Sequence, residues 1–165
     1  MHKRTTLRGL AAATLTLGFG LAGQTASAAD TGPIKIGLVL PMTGQQASTG
    51  RQIDAAVKLY MAQNNPVIGG RKVEVIVKDD ASTPDQTRRL AQELVVNDKV
   101  VALAGFGITP SAMATAPIAT QSKTPMVVMA AGTSSITEAS PFVTRTSVTL
   151  PQVSAACEPA QTSSG

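Results

Sequence analysis

The stretch IKIGLVLPMTGQQASTGRQIDAAVKLYMAQNN, residues 34–65, decides the fold. It opens on IKIGLVL, a short aliphatic and β-branched run bounded by Pro41, which reads as a buried strand. Residues 41–50 follow as a polar, glycine-bearing loop with no bulky side chain except Met42. Ile53, Ala56, Val57, Tyr60 and Met61 then recur at the spacing that puts them on one face of a helix over about 49–64. Ser48 or Thr49 is the expected N-cap, and Asn64-Asn65-Pro66 ends the helix.

Outward from this unit the chain repeats strand, loop and helix. Gly69-Gly70 makes a turn, and KVEVIVK, residues 72–78, is the second strand, closed by Asp79-Asp80. Thr83-Pro84-Asp85-Gln86 starts a helix, with Thr83 as cap, Pro84 at the first helical position and Gln86 completing a capping box. Leu90, Ala91, Leu94 and Val95 form its inner face. VVALA, residues 100–104, is the third strand, and Thr109-Pro110-Ser111 is a second cap-plus-proline start. Pro117 is expected to kink or restart that helix, because it removes a backbone donor and clashes with the preceding turn. Residues 126–130 are the fourth strand, residues 131–135 a small-residue loop, Ser135-Ile136-Thr137-Glu138 a capping-box start, and residues 142–146 a fifth strand.

This alternation predicts an α/β fold with a parallel sheet and helices on both faces. Ligands of such sheets sit outside the carboxyl ends of the strands, near a topological switch point. That rule selects the loops at 41–50, 105–111 and 130–135, all rich in Gly, Ala, Ser and Thr. Two of them lead into helix starts, where free N–H groups and the helix dipole favour an anion. A small carboxylate is therefore the expected ligand.

The two ends of the chain read differently from its middle. MHKRTTLRG, then LAAATLTLGFGLAG, then a small-x-small Ala26-Ser27-Ala28 make a secretory signal with cleavage after Ala28. The apolar run is short for a membrane span of about 20 residues. Removing Lys3, Arg4 and Arg8 with the leader leaves 11 basic residues against 10 acidic, so the positive charge is largely a property of the leader. No basic cluster persists and aromatics are nearly absent, which excludes a nucleic-acid surface. Cys157 is the one cysteine, so no internal disulfide forms and the core must hold the fold. Residues 151–165 read as an aberrant, solvated, disordered tail rich in Ser, Thr, Ala and Pro.

The order of a signal peptide, IKIGLVLPMTGQQASTGRQ, VEVIVKDDASTPDQ, VVALAGFGITPSAMATAPIA, TPMVVMAAGTSS and FVTRTS resembles the N-terminal lobe of a periplasmic substrate-binding protein. It is most similar to the leucine/isoleucine/valine-binding family of ABC importers, over about residues 1–155. The resemblance implies a type I periplasmic binding fold, flavodoxin-like or Rossmann-like in each of two lobes, with the ligand enclosed between them. It also implies an exported protein that hands its ligand to an inner-membrane ABC permease and needs no cofactor. Carried over position by position, it puts Thr109 and Ser111 on the ligand's carboxylate. It adds Gly132, Thr133 and Ser134 from the loop after the fourth strand. Ala47 to Gly50 fall at the ligand's side-chain end, and residues 29–150 form the lobe. The family continues past FVTRTS into a helix and a second lobe; here LPQVSAACEPAQTSSG follows, so the second lobe is missing and truncation is expected.

Other readings compete at several positions. Thr109, Ser111, Thr133 and Ser134 serve equally well as helix caps. Phe106 either touches ligand or covers the sheet edge, and Arg145 is expected to pair with an acid on a neighbouring loop and has no ligand role. Asp79-Asp80 reads as a turn pair in preference to a metal or acid/base pair. Gly105-x-Gly107 lacks the third glycine of a dinucleotide loop. The one histidine is His2, in the leader, so Cys157 has no His partner and the chain is not expected to be an enzyme. The functional expectation is a solute-binding component of an amino-acid ABC transporter. The alternatives are the ligand-binding half of a periplasmic sensor, or an inactive fragment.

Overall fold

In the computed structural model, which describes residues 32–157, Ile34–Leu40 is β1 and Ala47–Asn64 is α1. The chain continues through β2 (Val67–Ile68), β3 (Arg71–Asp79), α2 (Pro84–Val96), β4 (Ala102–Gly105) and α3 (Thr109–Ser122). It then forms β5 (Met126–Val128), a 3-10 helix (Ser134–Glu138), β6 (Val143–Arg145) and α4 (Leu150–Cys157). The leader, its cleavage point at Ala28 and residues 158–165 lie outside the described residues.

The sheet runs β2-β3-β1-β4-β5-β6. Its last five strands are parallel, with Leu38 opposite Val77 on one side and Ala104 on the other. The sheet is mixed because β2 pairs antiparallel with β3, a hairpin missed in the sequence. Gly69 and Gly70 make its two-residue turn with φ of 57° and 79°, the left-handed pair that a tight hairpin of this twist requires.

Side chains alternate along β1. Gly37 and Val39 face α2 and α3, where Leu94, Leu103, Ala112, Ala116, Met126 and Val128 close a dry core. Ile36 and Leu38 face α1. Helices therefore lie on both faces, but α1 alone covers the second. Of the apolar residues expected on one face of α1, Ile53, Val57 and Met61 are half-buried, Ala56 is exposed and Tyr60 is 60% exposed. Among the described residues no second helix flanks α1 to shield the rim of this face.

Several helix starts differ from expectation. The N-cap of α1 is Gln46 with no side-chain cap, in place of Ser48 or Thr49. Thr83 does sit at the N-cap of α2, but its hydroxyl donates to Ala81 O, and Gln86 Nε2 donates to Asp79 O, so no capping box closes. Pro117 neither ends nor restarts α3, which runs unbroken from Thr109 to Ser122. The expected helix at 135 is a five-residue 3-10 turn. At the other end, Asn65 stops α1 in the left-handed conformation, its N–H donating to Met61 O. Residues 150–157 are helical in place of a disordered tail, although the whole of α4 is exposed.

Two glycines let the chain close at the ends of β1 and β4. A Cβ on Gly105, whose φ is 113°, would stand 2.1 Å from Val39 O. A Cβ on Gly50 would stand 2.2 Å from Pro41 O. Both contacts are with backbone, which cannot swing aside. Gly105→Ala combines overpacking with left-handed strain, and urea denaturation is expected to show a loss of about 3 kcal/mol. An unchanged midpoint would contradict the packing described.

Candidate functional site

Going from β1 to β3 the chain moves to one side, and from β3 to β4 it crosses back to the other. The switch point is thus between β1 and β4, where Pro41 packs against Gly107 so closely that a Cβ there would lie 2.6 Å from Pro41 Cγ. Phe106 N–H donates to Val39 O, Met129 N–H to Gly105 O, and Ala131 N–H to Phe106 O, which ties the ends of β1, β4 and β5 into one edge.

Thr109 and Thr133 meet on this edge. Their hydroxyls are 2.7 Å apart, one donating to the other, and both residues are half-buried. Neither hydroxyl caps a helix: the N-cap of α3 is Ile108, and Thr133 holds the N-cap position of the 3-10 helix at Ser134–Glu138 without a side-chain capping bond. The capping alternative therefore does not account for either threonine. Pro110 has no N–H and Ala112 N–H donates to Ile108 O, so with no side-chain cap on α3 the first-turn amides available to an anion are those of Thr109 and Ser111. Ser134 is exposed beside Thr133, and Gly132 O accepts from Leu150 N–H at 2.9 Å. Arg145 Nη2–H donates to Thr133 O, fixing the loop from below.

Three expected site residues are placed elsewhere. Ser111 is fully buried, and its hydroxyl sits 2.7 Å from that of Thr87, which donates to Asp80 Oδ2. Its side chain thus joins α3 to α2, and only its amide is left for a ligand. The Phe106 ring has no exposed surface and lies in the core with Ala112 and Val128, covering the sheet edge from inside. Gly50 is buried under Pro41, where it permits packing and offers no surface. Ala47 is half-buried in the first turn of α1, its N–H donating to Gly44 O.

One organising residue was read only as part of a turn. Asp79 Oδ1 accepts from the N–H groups of Met42 at 2.9 Å, Thr43 at 3.2 Å and Ala81 at 2.8 Å, and Oδ2 accepts from Thr43 Oγ1 at 2.7 Å. It clamps the loop after β1 to the loop after β3, where Ala81 and Ser82 both take left-handed φ. The turn assignment holds, and the clamp extends it. Burial pushes its carboxyl up, but the hydrogen bonds from Thr43, Ala81 and Met42 outweigh this and hold it below the ordinary value of 3.8.

An apolar hollow of about 430 Å³ lies away from this edge, between α1 and the sheet, lined by Leu38, Val57, Tyr60, Met61, Ala104 and Met129. It offers almost no polar group to orient a solute. Among the described residues no cluster of His, Cys, Asp or Glu could hold a metal ion, and no helix is long and apolar enough to cross a membrane.

The sequence profile of the periplasmic binding protein family matches residues 33–159. The chain belongs to that family. Its members bind solutes and catalyse nothing. Among curated relatives, Leu/Ile/Val-binding protein homolog 6 of Brucella abortus (strain 2308) is 46% identical over 130 residues, covering 78% of this chain and 33% of that protein. Among solved structures, an ABC-transporter solute-binding protein from Rhodopseudomonas palustris BisB5, in complex with 3,4-dihydroxybenzoic acid, is 62% identical with a TM-score of 0.72. That match covers 74% of this chain and 34% of the other. A leucine-binding protein from Thermotoga maritima MSB8 is 30% identical with a TM-score of 0.69, over 74% of this chain and 35% of its own. The chain thus spans about a third of the length of the relatives it matches.

The Asp79 clamp has a pH signature. Its folded pKa is depressed, so its stabilisation is fully present above the unfolded value near 3.8 and is lost as pH falls through the lower folded value. Asp79→Asn is expected to cost about 1–2 kcal/mol at neutral pH, the low end for a partly solvated hydrogen-bonded charge. The gap from wild type, read from urea midpoints, should narrow below pH 3.8. A gap that stays constant into strong acid would exclude the clamp.

Proposed function

We propose that this chain is the ligand-binding N-terminal lobe of an exported ABC-importer solute-binding protein, and that its solute is a small carboxylate. One observation carries the reading: the uncapped start of α3 and the Thr109–Thr133 hydroxyl pair converge at the carboxyl edge of β4 and β5. Amides and hydroxyls in that arrangement accept an anion, and the loops at 105–111 and 130–135 contain no acidic side chain to repel one. The carboxylate lies against Thr109, the Ser111 amide, Thr133 and Ser134, while Gly132 gives the loop its close approach. Ala47 borders the far end of the solute.

An aromatic acid of the dihydroxybenzoate kind is the first choice. The support is the 62% identity to the R. palustris BisB5 protein solved with 3,4-dihydroxybenzoic acid. A branched-chain amino acid is the second reading, supported by 46% identity to the Brucella Leu/Ile/Val-binding homologue. In either case binding shifts an open–closed equilibrium between this lobe and a second one, and the closed form is presented to an inner-membrane permease. The leader at residues 1–28, cut after Ala28, delivers the protein to the periplasm.

A single lobe encloses a ligand on one side only, so the chain should bind weakly, with Kd on the order of millimolar. Titration of the 15N-labelled chain with 3,4-dihydroxybenzoate is expected to move the amide resonances of residues 107–111 and 131–135. L-leucine in a parallel titration distinguishes the two readings by which ligand saturates first. Resonances that stay still in both loops with both ligands would overturn the proposal.

A further inference from the structure

We propose that Arg145 is a positioning residue that gives this edge its preference for an anionic over a neutral ligand. The inference rests on the carboxylate reading above and deepens it. Arg145 ends β6, directly beneath the loop that carries Thr133. Its Nη2–H donates to Thr133 O. Its Nη1 is buried and has no hydrogen-bond partner. The ion pairs formed among the described residues are Lys58 with Asp54 and Lys78 with Glu93, so no carboxylate neutralises Arg145 there.

A guanidinium does not give up its proton, so this charge cannot be relieved by titration. Arg145 is half-buried, but a guanidinium with Nη1 sealed from water and Nη2 facing one neutral carbonyl is still a costly arrangement unless an anion lies nearby. The geometry points to where that anion goes. Thr133 carries the Arg145 contact on its carbonyl and the Thr109 contact on its hydroxyl, 2.7 Å from Thr109 Oγ1. A carboxylate seated on the Thr109–Thr133 face therefore lies one residue's breadth from the guanidinium. Because Nη1 is buried, the cation does not touch the ligand; it acts through its field and through the orientation it gives to Thr133. Holding the loop is the simpler role for this arginine, and the two roles differ in what they do to a neutral ligand.

The test compares 3,4-dihydroxybenzoate with its neutral isostere, 3,4-dihydroxybenzamide, by NMR titration of the full chain, its R145Q variant and its R145K variant. The charge role is expected to lower acid affinity about tenfold in R145Q, leave the amide's affinity unchanged, and preserve the acid-to-amide ratio in R145K. An equal fall for acid and amide in R145Q would assign Arg145 to loop holding alone and overturn the inference. So would an unchanged acid affinity. Should R145Q fail to fold, the wild-type Arg145 Nε–H resonance decides: movement with the acid and not the amide supports the charge role, and stillness with both overturns it. If neither 3,4-dihydroxybenzoate nor L-leucine moves residues 107–111 or 131–135 in the wild type, the carboxylate reading itself fails and takes this inference with it. If both loops move but the ratio is insensitive to R145Q, only the inference fails.

Discussion

Two backbone contacts control the geometry of this lobe. Val39 O presses on Gly105 and Pro41 O presses on Gly50, each at a distance that leaves no room for a Cβ. The first lets the chain leave β4 in a left-handed turn and pass directly over the end of β1. The second lets α1 start hard against the same end. Together with Pro41 against Gly107, they draw the loops after β1 and β4 to the switch point, where a parallel sheet leaves a crevice. Everything proposed about binding depends on that convergence.

Polar groups then fix the loops that the packing has brought near. Asp79 clamps residues 42–43 to Ala81, Asp80 and Thr87 reach Ser111, and Thr109 joins Thr133. These bonds form a band across the carboxyl edge. The contrast with the two faces of the sheet is marked. The face under α2 and α3 is closed by Leu94, Leu103 and Met126, whereas the face under α1 keeps Leu38, Val57 and Met129 around an open apolar hollow. This hollow offers almost no polar group, so it reads as part of the apolar core rather than as a solute site.

The strand–helix alternation was legible because it rests on local period: IKIGLVL, KVEVIVK and VVALA announce strands in any context. Topology then selected the edge on which Thr109 and Thr133 meet. What sequence could not separate was the two uses of a small residue. Gly50 and Gly132 look alike in the chain, yet one is buried under a carbonyl and the other flanks the exposed edge. Ser111 and Ser134 look alike too, and only long-range packing shows that the first hydroxyl belongs to the α2–α3 seam. Phe106 went to the core because Gly105 turned it inward, a left-handed step that no pattern encodes. The hairpin β2–β3 was missed because two residues are too few to show alternation, though Gly69-Gly70 marked its turn. Helix starts were misplaced where Thr and Ser hydroxyls found tertiary partners in place of their own backbone.

The most direct measurement is a crystal structure of the chain grown with 3,4-dihydroxybenzoate. The expected result is a carboxylate within hydrogen-bonding distance of the α3 first-turn amides and the Thr133 hydroxyl, with the aromatic ring directed away from the sheet. A ligand lodged instead in the apolar hollow beside Tyr60 and Met129, with the Thr109–Thr133 pair untouched, would contradict the assignment of the site to the carboxyl edge.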